Sequence, residues 1–161
     1  MNGKLRNMAT VYIKNGDKML LLDRIGSKVV ARSWCGIGGH FEKRDLNDAK
    51  AAVLREMKEE IGLKEKDLNN LALRYVALRN VKDELRINYY FFADLKPNAV
   101  MNKKCKEGIL EWVALDKVNE RKMPVTAQYV IKHYLETGIN TDELYSVSVN
   151  SKDNFSIVSL S

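Results

Sequence analysis

Apolar and polar residues alternate over 9–14, with β-branched positions among them, and this predicts a half-buried strand. Asn15-Gly16 follows; a type I′ turn needs positive φ at both central positions, so a hairpin reversal is expected there. The return segment, 18–23, holds Met19-Leu20-Leu21-Leu22, a run continuous enough to be covered on both faces. The pattern lapses over 24–44, a stretch with Trp34, Gly36, Gly38 and Gly39 that reads as a long, functional or mobile loop. Helical spacing then governs 47–61, where Asn47 or Asp48 can cap the start and Gly62 can end it. Two more strands are expected at 71–79 and 86–95, antiparallel because only 80–85 joins them. The second carries Tyr89-Tyr90-Phe91-Phe92, which period-two alternation would divide between core and surface. A short strand at 111–115 and a helix over 124–137 follow, with Pro124 in its first turn and Gly138 past its end. Weak alternation near Val147 and Ile157 marks the tail. Strands interleaved with two helices predict a mixed α/β domain over 1–161, residues after about 124 forming a C-terminal helix and tail.

Composition narrows this mainly by exclusion. With 45% apolar and 30% charged residues, the chain is neither disordered nor low-complexity. No apolar run approaches the roughly 18 residues of a membrane span, and the opening Met1-Asn2-Gly3-Lys4-Leu5-Arg6 lacks a secretory core. No membrane partner is expected. Cys35 and Cys105 stand apart from any pair or cluster and read as idle thiols of a reduced compartment, which implies a cytoplasmic location. A net charge of +6 favours anionic partners. The absence of any block of five like charges argues against a nucleic-acid arm.

The informative helix is 49–61. At 100° per residue, Val53, Leu54, Met57 and Ile61 share one arc, a core-facing stripe. Ala49, Ala52, Glu56, Glu59 and Glu60 share the neighbouring arc, an acidic flank beside small methyl groups. Like charges at i,i+3 and i,i+4 each oppose a helix by roughly 0.2–0.5 kcal/mol, and glutamates near its C-terminus meet the negative end of its dipole. Arg55 can relieve part of this through Glu59. A divalent cation bound by hard oxygens would offset the rest, although a solvated acidic face is the plain alternative.

The flanking residues favour the cation. Arg55-Glu56-Met57-x-Glu59-Glu60-x-Gly62-Leu63 resembles the second half of the Nudix box, G-x5-E-x7-R-E-U-x-E-E-x-G-U, in which U is a bulky aliphatic residue. Its five fixed residues would coincide by chance at roughly one start in a million, on average usage. Upstream, Gly38-Gly39-x-x-Glu42 resembles the glycine pair and acid that open the box, with Trp34 in its usual flank. The chain departs from the pattern at Asp45, where the family has glutamate. Nine residues instead of seven then separate Asp45 from Arg55, the extra pair lying around Leu46-Asn47-Asp48. Whether Asp45 keeps the family position stays open.

The resemblance implies a Nudix-like α/β/α sandwich, a mixed β-sheet flanked by helices. It also implies metal-dependent hydrolysis of a pyrophosphate bond in a nucleoside diphosphate linked to another moiety. Mg2+ or Mn2+ would be the cofactor, a small nucleotide the substrate, and a homodimer is compatible. Glu59 and Glu60 would be core metal ligands, Glu56 a further ligand or the base, and Arg55 would orient a carboxylate. The Gly38 carbonyl would complete the coordination, with Gly39 and Gly62 as motif support. Glu107, in a loop that often carries a ligand or catalytic acid, is set against an ordinary loop glutamate. Glu42 is set between ligand support and plain surface, and His40 between a phosphate contact and an exposed ring. His133 reads as structural. Arg24, Arg74, Arg79 and Arg86 could each contact phosphate or base. No proline near Leu78 and no tyrosine near Arg79 marks a particular substrate. The alternative is a non-catalytic nucleotide-binding module on the same fold, which would have no need of the full acid set.

Overall fold

The hairpin after the first strand forms, one residue later than expected. In the computed structural model, which describes residues 2–25 and 32–161, β1 (Lys4–Asn15) and β2 (Lys18–Arg24) pair Asn15 with Lys18. The central residues are therefore Gly16 and Asp17, and only Gly16 has positive φ, +60°. That is the glycine-first type II′ requirement, not type I′.

The stretch read as one loop is largely structured where described; 26–31 lies outside the described residues. It contains β3 (Ser33–Cys35), β4 (Ile37–His40) and a 3-10 turn at Lys43–Asp45. Strands of three and four residues interrupted by glycine leave no periodicity to read. Pairing with longer neighbours makes them: β3 lies against β2, and β4 against the middle of β1, Thr10 opposite Gly38. A Cβ at Gly38 would sit 2.0 Å from the Ala9 carbonyl oxygen, so only glycine permits this approach.

β5 (Leu68–Val81) and β6 (Glu84–Leu95) form the expected antiparallel pair, each longer than the pattern indicated. β7 (Gly108–Ala114) runs beside β2. The tail supplies β8 (Tyr145–Val149) and β9 (Phe155–Ser159). The sheet order is β3-β2-β1-β6-β5-β8-β9, with β4 also on β1 and β7 also on β2. β1–β6 and β5–β8 are parallel and the other pairs antiparallel, so the sheet is mixed as expected.

One helix covers each face. α1 (Ala49–Ile61) lays Ala52, Val53, Met57 and Ile61 on Ala9, Val11, Leu20, Leu22 and Phe91. α2 (Val125–Glu136) lays Val130, Ile131 and Tyr134 on Tyr12, Leu21, Tyr75, Tyr90 and Phe92. Alternate residues of β2 thus enter opposite cores, which accounts for its unbroken apolar run. The same cover corrects the reading of the aromatic run: Tyr90, Phe91 and Phe92 are all buried, and only Tyr89 is half-buried. His133 is structural as expected, its Nδ1 2.8 Å from the Tyr75 hydroxyl. Among the described residues, no helix is long and apolar enough to cross a membrane.

α1 begins later than predicted, at Ala49. Asp48, not Asn47, is its cap, the carboxylate accepting the Ala51 N–H at 2.9 Å. Gly62, at φ +75°, ends the helix by donating its N–H to Lys58 at 3.1 Å. Asp48→Ala should lower the unfolding free energy by about 1 kcal/mol. Urea titration checks this; an unchanged midpoint would mean that solvent caps α1 equally well.

Candidate active site

Arg55 lies on the second turn of α1 and its side chain is only 12% exposed. A guanidinium so buried must have its donors satisfied by charge or by carbonyls. Nη2 donates to Asp45 Oδ2 at 2.8 Å and to the His40 carbonyl at 3.1 Å. Nη1 donates to Glu56 Oε1 at 2.7 Å and, more loosely, to Glu59 Oε2 at 3.4 Å. Burial opposes its charge, but the bonds to Asp45 and Glu56 raise its pKa further still. The helix, the end of β4 and the 3-10 turn are thereby tied at one cation.

Asp45 meets Arg55 in spite of the longer spacing between them. It is 3% exposed. Its carboxylate accepts from Arg55 and also from the Glu42 N–H at 2.8 Å, and the Arg55 bond holds it below the usual carboxylate range. The two extra residues are taken up where Leu46 is exposed and Asn47 turns to φ +70°, ahead of the Asp48 cap. Asparagine tolerates that conformation, so the insertion bulges outward and Asp45 stays beside Arg55.

Glu56 rests against the backbone of β4. A Cβ at Gly39 would lie 2.7 Å from the Glu56 carboxyl carbon, so the glycine makes room for the acid. Glu60 is the most constrained of the set. Its Oε2 is buried with no hydrogen-bond partner. Burial, then repulsion from Glu107 and Glu56, push its pKa up to about 8, against the pull of Arg24 and the Gly38 amide. Glu107 reaches the same space from the turn before β7, its Oε2 2.7 Å from Arg24 Nη2. Glu59 is 56% exposed, on the solvent side of α1. Glu42 is half-exposed, pairing with Arg44 at 2.8 Å and lying 3.6 Å from Arg55.

A cleft of about 380 Å³ opens here, its walls including Arg24, Gly38, Gly39, Arg55, Glu56 and Glu107. A second cavity of about 240 Å³, on the α2 side of the sheet, shares Arg24 and Gly38 with it. Arg6, Thr10, Tyr12, Asn88 and Tyr90 line this second cavity, together with Arg79 and Arg86. Arg74 is elsewhere, buried and spent on the carbonyls of Gly138, Thr141 and Glu143. His40 meets Arg6 through Nε2 at 2.5 Å; burial, then Arg6, lower its pKa. Arg6 escaped the sequence reading because β1 starts at Lys4, ahead of the expected 9–14; Thr10 and Asn88 lie inside the expected strands, where alternation alone does not mark a cavity wall. Period two counted back from Tyr12 places Thr10, Met8 and Arg6 on one face.

Among the described residues, no three histidine, cysteine or acidic side chains are already gathered into a cage. The donor set nonetheless fits a hard divalent cation: carboxylates from Glu56, Glu60 and Glu107, with the Gly38 backbone alongside. The unpartnered Glu60 oxygen is the kind of buried polar atom that a cation would satisfy.

The family model for the NUDIX domain matches residues 4–134, more than half of the chain. Among solved structures, the chain is similar to the mutator MutT protein from Bacillus halodurans: 21% identity, 96% of this chain and 97% of that one, TM-score 0.70. A MutT protein from Methanosarcina mazei aligns at 19% identity over 88% of this chain and 99% of that one, TM-score 0.67. A NUDIX hydrolase from Nitrosomonas europaea aligns at 14% identity over 94% and 82%, TM-score 0.70. At such identities the likeness carries the fold, and the match over 4–134 carries the family.

A carboxyl whose pKa is raised by folding favours its neutral form in the fold. Glu60 therefore supports the metal-free fold at pH below its ordinary value of 4.5, and that support is lost as pH rises toward about 8. In chelator at pH 8, Glu60→Gln should melt at a higher temperature than the parent, with the gap closing by pH 5. Melting curves that stay parallel across this range would refute the strain assigned to Glu60.

Proposed function

The chain belongs to the Nudix family of hydrolases, and on that premise we propose that it cleaves a pyrophosphate bond in a nucleoside diphosphate linked to another moiety. Mg2+ or Mn2+ is the proposed cofactor. The observation that supports this most directly is Glu60: an acid buried without a partner for Oε2 and crowded by Glu56 and Glu107, whose pKa stays raised in spite of Arg24 and the Gly38 amide. Glu56, Glu60, Glu107 and the Gly38 carbonyl would hold the cation, and Glu59 completes the acid set from the solvent side.

A bound divalent ion would supply charge neutralisation for the phosphate oxygens and ease deprotonation of the attacking water. The chain's own residues do the rest. Glu56, which lines the cleft and is fixed by Arg55 at 2.7 Å, would accept the proton from water. Arg55 is a positioning residue: Nη1 and Nη2 go to Asp45, His40, Glu56 and Glu59, and Nε is buried without a partner, out of reach of solvent. Arg24, half-exposed on the opposite wall, can trade Glu107 for a phosphate oxygen.

A panel of nucleotides incubated with Mg2+, with products identified by mass spectrometry, tests the reaction. A nucleoside monophosphate released from a diphosphate derivative is expected, and excess chelator should abolish it. Glu56→Gln and Glu60→Gln should each lower kcat/KM by about 100-fold or more, while Asp45→Ala, acting through Arg55, should cost about 10- to 100-fold. Nucleotide binding with no product under any divalent ion would leave a binding module in place of an enzyme.

A further inference from the structure

Strand register brings three arginines side by side at the far end of the α2-side cavity. Arg6 of β1 is directly paired with Arg86 of β6, and Arg86 is directly paired with Arg79 of β5. Direct partners project to the same face, so their guanidinium groups crowd one row across three strands. Like charges opposed in this way destabilise a sheet unless something anionic meets them. The protein supplies little. Glu84 serves Arg86 at 2.9 Å and is 3.7 Å from both Arg6 and Lys4, and Asp153 serves Arg79 at 2.7 Å. Two carboxylates thus face four cations. Arg79 Nε remains buried without a partner.

The cavity beside the row is one-sided in charge. Arg6, Arg24, Arg79 and Arg86 all line it, and among the described residues no carboxylate does. Tyr12 adds a fully buried hydroxyl without a partner in the same wall. The distance from the cleft matters. Gly38, which lines both the cleft and the cavity, is level with Thr10, and Arg6 lies four residues away along β1. Four residues of strand span about 13 Å, more than two phosphorus atoms bridged by one oxygen can cover. Glu84 and Asp153 draw Arg86 and Arg79 further toward the hairpin end, whereas Arg6 turns back to His40.

We infer that Arg86 and Arg79, flanked by Arg6, bind a second phosphate group of the substrate, a monoester remote from the scissile pyrophosphate. The favoured substrate is then a nucleoside diphosphate derivative phosphorylated at another position. Planar guanidinium forks on adjacent strands suit the three terminal oxygens of a phosphate monoester. The inference rests on the hydrolase reading only for placing the reacting phosphates near Gly38; the anion site stands on the register and the cavity.

Calorimetric titration of the full chain without metal separates the two. The probes are 5′-AMP, 2′,5′-ADP and 3′,5′-ADP. At least one bisphosphate should bind about tenfold or more tightly than 5′-AMP, a difference of two charge-assisted contacts. Arg86→Gln should remove most of that gain, and so should Arg79→Gln. Lys132→Gln, on the exposed side of α2, should preserve it. If Arg79→Gln does not fold, the half-exposed Arg86 carries the test alone. Equal affinity for all three probes, no binding of any, or a gain that survives Arg86→Gln overturns the inference. A gain lost in Arg86→Gln sustains it even in a protein that hydrolyses no nucleotide, and that second result would fall on the hydrolase reading instead.

Discussion

The site depends on one buried cation. Arg55 holds β4 through a carbonyl, the 3-10 turn through Asp45 and its own helix through Glu56, all within 3.1 Å. Each contact alone is ordinary. Together they couple the position of Glu56 to the course of the chain before the helix, so neither can shift independently. A buried guanidinium is costly unless all sides are met, and the partner most deeply buried with it, Asp45, lies ten residues away in sequence. The same bonds leave Glu60 out: it gains no share of Arg55 and keeps an oxygen with nothing to bind. The arrangement spends Arg55 on order and leaves Glu60 with an unsatisfied oxygen.

Much of this was legible in the residues. The helix 49–61, its two arcs and its terminal glycine follow from spacing, because an amphipathic helix writes its burial directly into its period. The hairpin at Gly16 and the antiparallel β5–β6 pair were legible for similar local reasons. β3 and β4 were not, since strands of three and four residues take their form from partners far along the chain. The burial of the Tyr90–Phe92 run was missed because alternation tells which face a residue takes, not whether a helix covers that face. A count of residues does not tell that Asp45 meets Arg55; the fold brings them together because the extra length is taken up at the exposed Leu46 and at Asn47.

The arginine row and the acidic flank are opposite cases of one tension. On α1, three glutamates crowd a helix face; across β1, β6 and β5, three arginines crowd a sheet face. Both arrangements work against the element that carries them. Charges of opposite sign line two neighbouring spaces that share Arg24 and Gly38, the acids around the cleft and the arginines along the cavity. A polyanion entering from solvent would feel the basic end directly and would need neutralising ions at the other.

The junction at Gly38 and Arg24 separates one face of the sheet from the other. A molecule occupying both hollows is bent over a strand edge, with its middle at the edge itself. Once severed there, its halves would lie on opposite sides of a β-sheet, one held by the acid-lined cleft and the other by the arginine row, so that the order of release would turn on how firmly each half is gripped.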